Sequence, residues 1–508
     1  MNSNKKHLQT VGALVGAICI ATLVGCSDGS SPPFAVQSVS PAAEGELIPV
    51  DTQVAITFNR SLDSTTFSAA EVRLECDESE VTFADVSFQN NARTVFLTPD
   101  TLLPENKDCE VQIAAEVKDV SNNTLGKVFG WTFGTTARPE TLALGKEIFR
   151  YDTFGDERFW TDVLEMHDVI QSAVDPVTAL SVGLKVDAEA LPEAVVNGIA
   201  QGTINLESPA TTVALLKLDA VVGVKGTVEE VNDVDTLTSV GVTCALCHST
   251  VDNSFAPGIG KRLDGWANRD LNPGAIIALS PALTPAQKDI YNSWGPGMYD
   301  ARFNQDGISS PHVITPAFGL NGIEKTTSTG DGNDIAYWNR YVAVTQMGGE
   351  GSFYEPRTGV DVTNGTEDLV TDKLPALQAY QLSLLSPEPP EGSFDPTAAA
   401  RGEELFNGQA QCSSCHSGPK FTDANSRLHD PSDVVSEPEP DGAPGYASRS
   451  ATKMYRTAPL EGIWQHPPYF HNGMAATLAD VVTLYNDRKA LGLDEDQQSD
   501  LVEYLKSL

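Results

Sequence analysis

Two five-residue stretches constrain this chain more than anything else in it: Cys244-Ala-Leu-Cys247-His248 and Cys412-Ser-Ser-Cys415-His416. Two thiols three residues apart fit on one helical turn, where each can add to a vinyl group of a haem. The histidine next in the chain then lies under the iron and offers a nitrogen as proximal ligand. With eight cysteines and eight histidines in 508 residues, composition alone yields on the order of 0.002 such motifs. Two are therefore not accidental. The competing reading is a zinc site built from the two CxxC pairs, but it leaves the histidine after each pair unexplained. The residues thus predict two covalently bound c-type haems, held by Cys244, Cys247, Cys412 and Cys415, with His248 and His416 on the irons.

The N-terminus says where such a protein matures. Lys5 and Lys6 precede a short apolar run, Val11 to Val24, that is too short to span a bilayer comfortably. It ends in Leu23-Val24-Gly25-Cys26, which resembles a bacterial lipobox. That resemblance implies a signal peptide over residues 1–25 and a lipid on Cys26. An ordinary signal peptide with an incidental cysteine is the alternative. Ser27 rather than Asp comes after the cysteine, which by the lipoprotein sorting rule implies the outer membrane, facing the periplasm or the cell surface. Export allows disulfides, and Cys76 with Cys109 form either one bridge or two buried thiols. The 69 acidic and 33 basic residues give a net charge of −36. Such a surface repels nucleic acid and anionic headgroups and favours basic partners, small neutral substrates or divalent cations. The membrane is reached through the N-terminal lipid alone.

Residues 35–136 alternate as short strands, among them Val54-Ala55-Ile56-Thr57-Phe58 and Thr94-Val95-Phe96-Leu97, with turn clusters between them. This is the pattern of a β-sandwich. The wording Val39-Ser40-Pro41 and Trp131-Thr132-Phe133-Gly134-Thr135 resembles the bacterial Ig-like domains of exported proteins. From Thr136-Ala137-Arg138-Pro139 onward the texture becomes helical. The proline-rich Ser386 to Gly392 reads as a linker. The expected fold is multidomain: an all-β Ig-like sandwich, then two mostly α-helical cytochrome c-like domains over 138–385 and 396–508.

In the last of these, Arg401-Gly402-Glu403-Glu404-Leu405-Phe406 precedes the second motif. Tyr455-Arg456-Thr457-Ala458-Pro459-Leu460 and Pro467-Pro468-Tyr469-Phe470-His471-Asn472-Gly473 come after it. Together they resemble the C-terminal half of the dihaem cytochrome c peroxidases and MauG-type enzymes. The resemblance implies that the C-terminal haem relays electrons from a small redox protein or a quinol-linked donor or acceptor, and that the N-terminal haem meets an oxidant or substrate. Trp338 resembles the family's inter-haem tryptophan; a plain core tryptophan is the other reading. Where the family carries a distal glutamate, this chain has Gln346-Met347-Gly348. An amide cannot take up a proton as the O–O bond of peroxide breaks, so Gln346 puts peroxidase chemistry in question. Glu350 lies nearby as a substitute.

Three residues compete for the sixth position of the C-terminal haem: His471, Met474 and Tyr485. Tyr485 falls where MauG-type enzymes carry an axial tyrosine, and it is otherwise a core aromatic on an amphipathic helix. Family members hold Ca²⁺ between the haems. Asp300, Asn304 and Asp306, with Asp331, Asn333 and Asp334, form oxygen-rich stretches that are either calcium loops or solvated ones. His312 is a candidate distal ligand of the first haem. Three functions remain in play: a peroxide-reducing dihaem protein, a pure electron carrier, and an oxygenase similar to the dihaem rubber oxygenases.

The anchor is directly testable. Labelled fatty acid should enter the wild type and not Cys26→Ser, and that variant should leave the membrane fraction. Equal labelling of both would rule out a lipid on Cys26.

Overall fold

The computed structural model describes residues 33–508 apart from 78, 90–91, 333, 438 and 440–443. Residues 1–25, read as a signal peptide, and Cys26 and Asn333 lie outside the described residues. The chain divides into two compact units: the first holds the described residues up to Gly45 with Asp51–Leu102 and Cys109–Phe133, and the second holds Glu46–Val50, Leu103–Asp108 and Gly134–Leu508.

The first unit is built of antiparallel strands. In one sheet the neighbours are Val36–Ser40, Val54–Phe58, Thr94–Pro99 and Phe83–Gln89. A second sheet contains, side by side, Phe129–Thr135, Asp108–Ile113, Val72–Cys76 and Ser79–Val81. Alternation does the sorting: Val54, Ile56 and Phe58 point inward from one sheet, and Leu74, Val111 and Ile113 do so from the other. Trp131 joins this core and donates its indole N–H to the Pro41 carbonyl at 3.0 Å. Cys76 and Cys109 stand opposite each other in adjacent strands and are joined as a disulfide.

The second unit repeats one helix crossing. Pro139–Tyr151 opens its first half and packs on Leu374–Leu382. Pro396–Asn407 opens its second half and packs on Glu495–Lys506. Each opening helix carries a glycine and, four residues later, a phenylalanine: Gly145 and Phe149, then Gly402 and Phe406. Gly145 sits on the backbone of its partner helix, where an added Cβ would fall 1.9 Å from the Ala376 carbonyl oxygen. At Gly402 the corresponding distance, to the Asp500 oxygen, is 2.1 Å. Each phenylalanine then meets a tyrosine of the partner helix edge-on, Phe149 with Tyr380 at 5.6 Å and Phe406 with Tyr504 at 5.2 Å. Capping fixes the ends. Asp395 accepts from the Thr397 and Ala398 amides, and Asp494 with Gln497 closes a capping box. Thr477 with Asp480 does the same for Leu478–Lys489.

The first half is less purely helical than its sequence texture suggests. It contains a long hairpin, Val224–Val231 with Val234–Val242, and a shorter one, Gly351–Glu355 with Val360–Asn364. The long hairpin turns at Asn232 and Asp233, both with positive φ, the two-residue turn that matches strand twist. Its alternation of valine and threonine with polar residues carries the strand signal.

The helix crossings predict a sharp effect of one methyl group. Gly402→Ala and Gly145→Ala should each lower stability in thermal unfolding by about 1–3 kcal/mol or more, because backbone must move. Gly134→Ala, where the nearest atom lies 3.7 Å away, should stay within about 0.5 kcal/mol. Equal effects at all three would show that the crossings are not the tight points of the fold.

Candidate haem-binding sites

The long hairpin delivers the first motif. The Val242 amide donates to the Asp156 carboxylate, 3.2 Å from each oxygen, and Thr243 Oγ1 donates to the Arg150 carbonyl at 3.1 Å. Gly223 presses onto the next turn, Ala245–His248, so closely that a Cβ would lie 2.1 Å from Leu246 Cα. From the other side the Gly265 amide donates to the His248 carbonyl at 2.8 Å, and the Asn268 amide to the Cys247 carbonyl at 2.9 Å. His248 Nδ1 donates to the Thr315 carbonyl at 2.9 Å. A carbonyl only accepts, so the proton is on Nδ1 and Nε2 keeps its lone pair. Burial holds the His248 pKa below its ordinary value, which keeps the ring neutral.

The second motif repeats this arrangement on different scaffolding. The Ala410 amide donates to the Leu405 carbonyl at the end of the opening helix, and Gln411 takes a left-handed conformation that starts the Cys412–Ser414 turn. His416 Nδ1 donates to the Phe421 carbonyl at 3.0 Å, and burial again lowers its pKa. Phe406 brings the helix crossing against this ring, 6.4 Å between centroids. Burial pushes Cys244 and Cys247 up to about 12, and Cys412 up to about 11. Among the described residues no cluster of metal-ligating atoms draws on both motifs. The clusters that do form are Cys415–Asp423–His429 and Glu437–Glu439–His471. Paired thiols on one turn beside a neutral imidazole with an available Nε2 fit a covalently held haem at each motif.

The three candidates for the second sixth position separate clearly. Burial raises the Tyr485 hydroxyl far above its ordinary value, with Cys412 and Cys415 as the next influences. The phenol therefore lies within electrostatic reach of both motif sulfurs. His471 is engaged elsewhere. Its Nε2 is 2.6 Å from Glu439 Oε1 and 3.2 Å from the Tyr455 hydroxyl, and its Nδ1 is 3.1 Å from Ser436 Oγ. Met474 is half-buried, and its amide donates to Asn472 Oδ1 at 3.3 Å.

Gln346 is buried in the wide turn Ala343–Met347, a distortion frequent at functional sites. Its Oε1 accepts from the Tyr299 hydroxyl at 2.9 Å, and its Nε2 donates to Thr345 Oγ1 at 3.0 Å. Burial, with Cys247 next, raises the Tyr299 pKa, so Tyr299 links Gln346 to the first motif. Sequence reasoning missed Tyr299. No motif contains it, and its place comes from the pairing of Met298–Tyr299 with His312–Val313. Glu350 lies apart from Gln346, with its carboxylate packed on Gly365 and its chain on Gly155.

Trp338 stacks on Tyr341 at 4.8 Å. The Arg302 guanidinium lies 5.9 Å over Trp338 and 5.1 Å over Tyr446 of the second half. Tyr446 in turn meets His312 at 4.6 Å, and His312 meets His471 at 6.0 Å. Trp338 thus begins a column of rings and one cation that crosses between the halves. His312 Nδ1 faces the Val313 carbonyl at 2.6 Å, and its buried Nε2 has no hydrogen-bond partner.

In the oxygen-rich stretches two acids are withdrawn from solvent, whereas Asn304, Asp306 and Asp334 are exposed. Asp300 is 1% exposed and Asp331 2%. Arg449 pairs with Asp300 at 3.0 Å and Asp306 at 2.8 Å, and Arg302 pairs with Asp331. Backbone amides of Arg302, Phe303 and Ser310 supply the rest at Asp300, and those of Ala451 and Thr452 at Asp331. Asn304 accepts from Tyr291, and Asp334 caps a helix. Guanidinium groups and amides satisfy the oxygens of Asp300 and Asp331.

Tyr485→Phe keeps the packing and removes one oxygen. If the phenol is an axial ligand, the optical spectrum of the second haem should change and its potential rise, because phenolate favours ferric iron. An unchanged spectrum and potential would leave Tyr485 as packing alone.

A family model described as a bacterial Ig-like domain matches residues 30–135, and one described as RoxA-like, cytochrome c-like matches 454–491. A cytochrome-c peroxidase of Denitromonas iodatirespirans is 29% identical over 188 residues, 27% of this chain and 50% of that protein. The methylamine utilization protein MauG of Methylorubrum extorquens is 30% identical over 155 residues, 26% of this chain and 42% of its own. The cytochrome c551 peroxidase of Pseudomonas aeruginosa is 28% identical over 149 residues, 26% of this chain and 42% of its own. The chain spans about half or less of the length of these relatives. It carries one stretch similar to bacterial Ig-like domains and another similar to RoxA-like, cytochrome c-like sequences, and it is similar in part to cytochrome c peroxidases and MauG.

Proposed function

We propose that the chain is an exported dihaem c-type cytochrome that transfers electrons and reduces peroxide slowly at its first motif. One observation carries the reading. The same arrangement occurs twice: a CxxCH turn, a histidine fixed through Nδ1 by a backbone carbonyl, and a glycine-mediated helix crossing. That repetition supports two cytochrome c-like halves, 138–385 and 396–508, each with its own haem. The Cys76–Cys109 bridge supports an oxidising compartment, in keeping with a lipid-anchored protein facing the periplasm or cell surface.

A haem with an open sixth position binds peroxide or dioxygen, whereas one with both axial positions filled transfers electrons. In this reading the second half, with Tyr485 near its sulfurs, takes electrons from a small redox protein or a quinol-linked donor. The column from Tyr446 through Arg302 to Trp338 orients a route to the first half. There the Tyr299 hydroxyl is held by Gln346. Neither the amide nor Glu350, packed on Gly365, provides a carboxylate beside the first motif to move a proton.

Spectroscopy of the oxidised protein tests the reading. One high-spin and one low-spin haem signal supports it; two low-spin signals favour a carrier. Peroxide turnover with a reduced donor should be slow in the wild type. Gln346→Glu should raise it, since a missing general base costs about 10²–10⁴-fold. Brisk turnover in the wild type would move the proton transfer to another residue. An oxygenase is the second reading. It is favoured by the RoxA-like match and by an apolar cavity of about 80 Å³, bounded by Trp160, Leu216 and the motif's own Leu246.

A further inference from the structure

We propose that Arg269 and Arg456 are anion anchors, each receiving a propionate carboxylate of the covalently attached haems. The inference rests on the dihaem reading and names the residues that would balance the charge of those groups.

Among the described residues this acid-rich chain leaves two half-buried arginines without an acid. Other buried arginines face carboxylates: Arg150 meets Asp264 at 2.6 Å, Arg262 meets Asp187 at 3.0 Å, and Arg449 meets Asp300 and Asp306. Arg269 and Arg456 differ. Nε and Nη1 of Arg269, and Nε of Arg456, are sealed from solvent without a hydrogen-bond partner. Among the described residues neither side chain has an ion-pair partner. Burial pulls both guanidinium groups down to about 10, and the one opposing influence at Arg269 is the Tyr469 phenol. Fixed, desolvated cations without an anion are costly, so these two point to an anion supplied by something other than the polypeptide.

Their positions specify which anion. Arg269 directly succeeds Asn268, whose amide is bonded to the Cys247 carbonyl of the first motif. Its charge also acts on His312 and His466. Arg456 is held by its amide on the Ser328 carbonyl at 3.0 Å and by Nη1 on the Lys325 carbonyl at 3.1 Å. It lies two residues before Ala458, whose backbone acts on the His416 ring of the second motif. One unpaired arginine therefore accompanies each motif. A haem carries two carboxylates, which a guanidinium fork accepts through paired N–H groups.

The test uses holoprotein with its haem content verified by pyridine haemochrome. In spectroelectrochemical titration, Arg269→Gln and Arg456→Gln should each favour the oxidised form of one haem. A buried charge at about 10 Å is worth roughly tenfold in that equilibrium, or ~59 mV for one electron. Arg269→Lys and Arg456→Lys, which keep the charge, should restore most of the shift. Resonance Raman bands of propionate bending should move in the Gln variants, and the band affected tells which haem supplies the carboxylate. Fully loaded Gln variants with both potentials and the propionate bands unmoved would overturn the proposal. So would an equal fall in the Gln and Lys variants, which assigns the effect to packing. A wild type without covalent haem would instead defeat the dihaem reading itself, a separate failure.

Discussion

The second unit depends on two places where a helix lies directly on the backbone of another. At Gly145 and Gly402 there is no room for even a methyl group, so the helix axes approach as closely as main chains allow. The aromatic pair one turn further on then sets the angle. The segment beyond each opening helix inherits its position. In the second half only a few residues separate Phe406 from the Cys412 turn, and the same phenylalanine touches the His416 ring. The first half needs the long hairpin as an intermediary, because its motif lies about a hundred residues beyond Phe149. Gly223 makes the connection by resting on the motif's own backbone.

Charge organises the space between the halves. A strongly acidic chain would be expected to repel itself wherever two of its surfaces meet. Here the junction is instead built around buried arginines. Arg449 reaches from the second half to Asp300 and Asp306 of the first, and Arg302 lies between Trp338 and Tyr446 while holding Asp331. Breaking a buried pair of this kind typically costs about 3–5 kcal/mol. The pairs therefore fix the register of the two halves as well as neutralising them. Such rigidity suits an electron route, whose rate depends on fixed separations between rings.

Much of this was legible in the sequence because it is local. The CxxCH turns and the strand alternation of the Ig-like region each rest on residues a few positions apart. The features that could not be read depend on contacts between distant segments. Nothing near Tyr299 in the sequence says that it holds Gln346, 47 positions away. Nothing near Asp300 says that Arg449 fills its oxygens. The stretch holding Asp300 and Asp306 reads as a loop for solvent or calcium because the cation that pairs with it, Arg449, is about 150 residues distant. His471, a ligand candidate by its motif, is drawn instead to Glu439 and Tyr455.

Both halves, in this reading, depend on a covalently attached haem at their CxxCH motif. Intact-mass measurement of the purified chain, with proteolysis and mapping of the haem-bearing peptides, tests it most directly. Two haem masses per chain are expected, one on the peptide containing Cys244 and Cys247 and one on the peptide containing Cys412 and Cys415. A chain with a single haem, or with free thiols and stoichiometric zinc at both motifs, would contradict it.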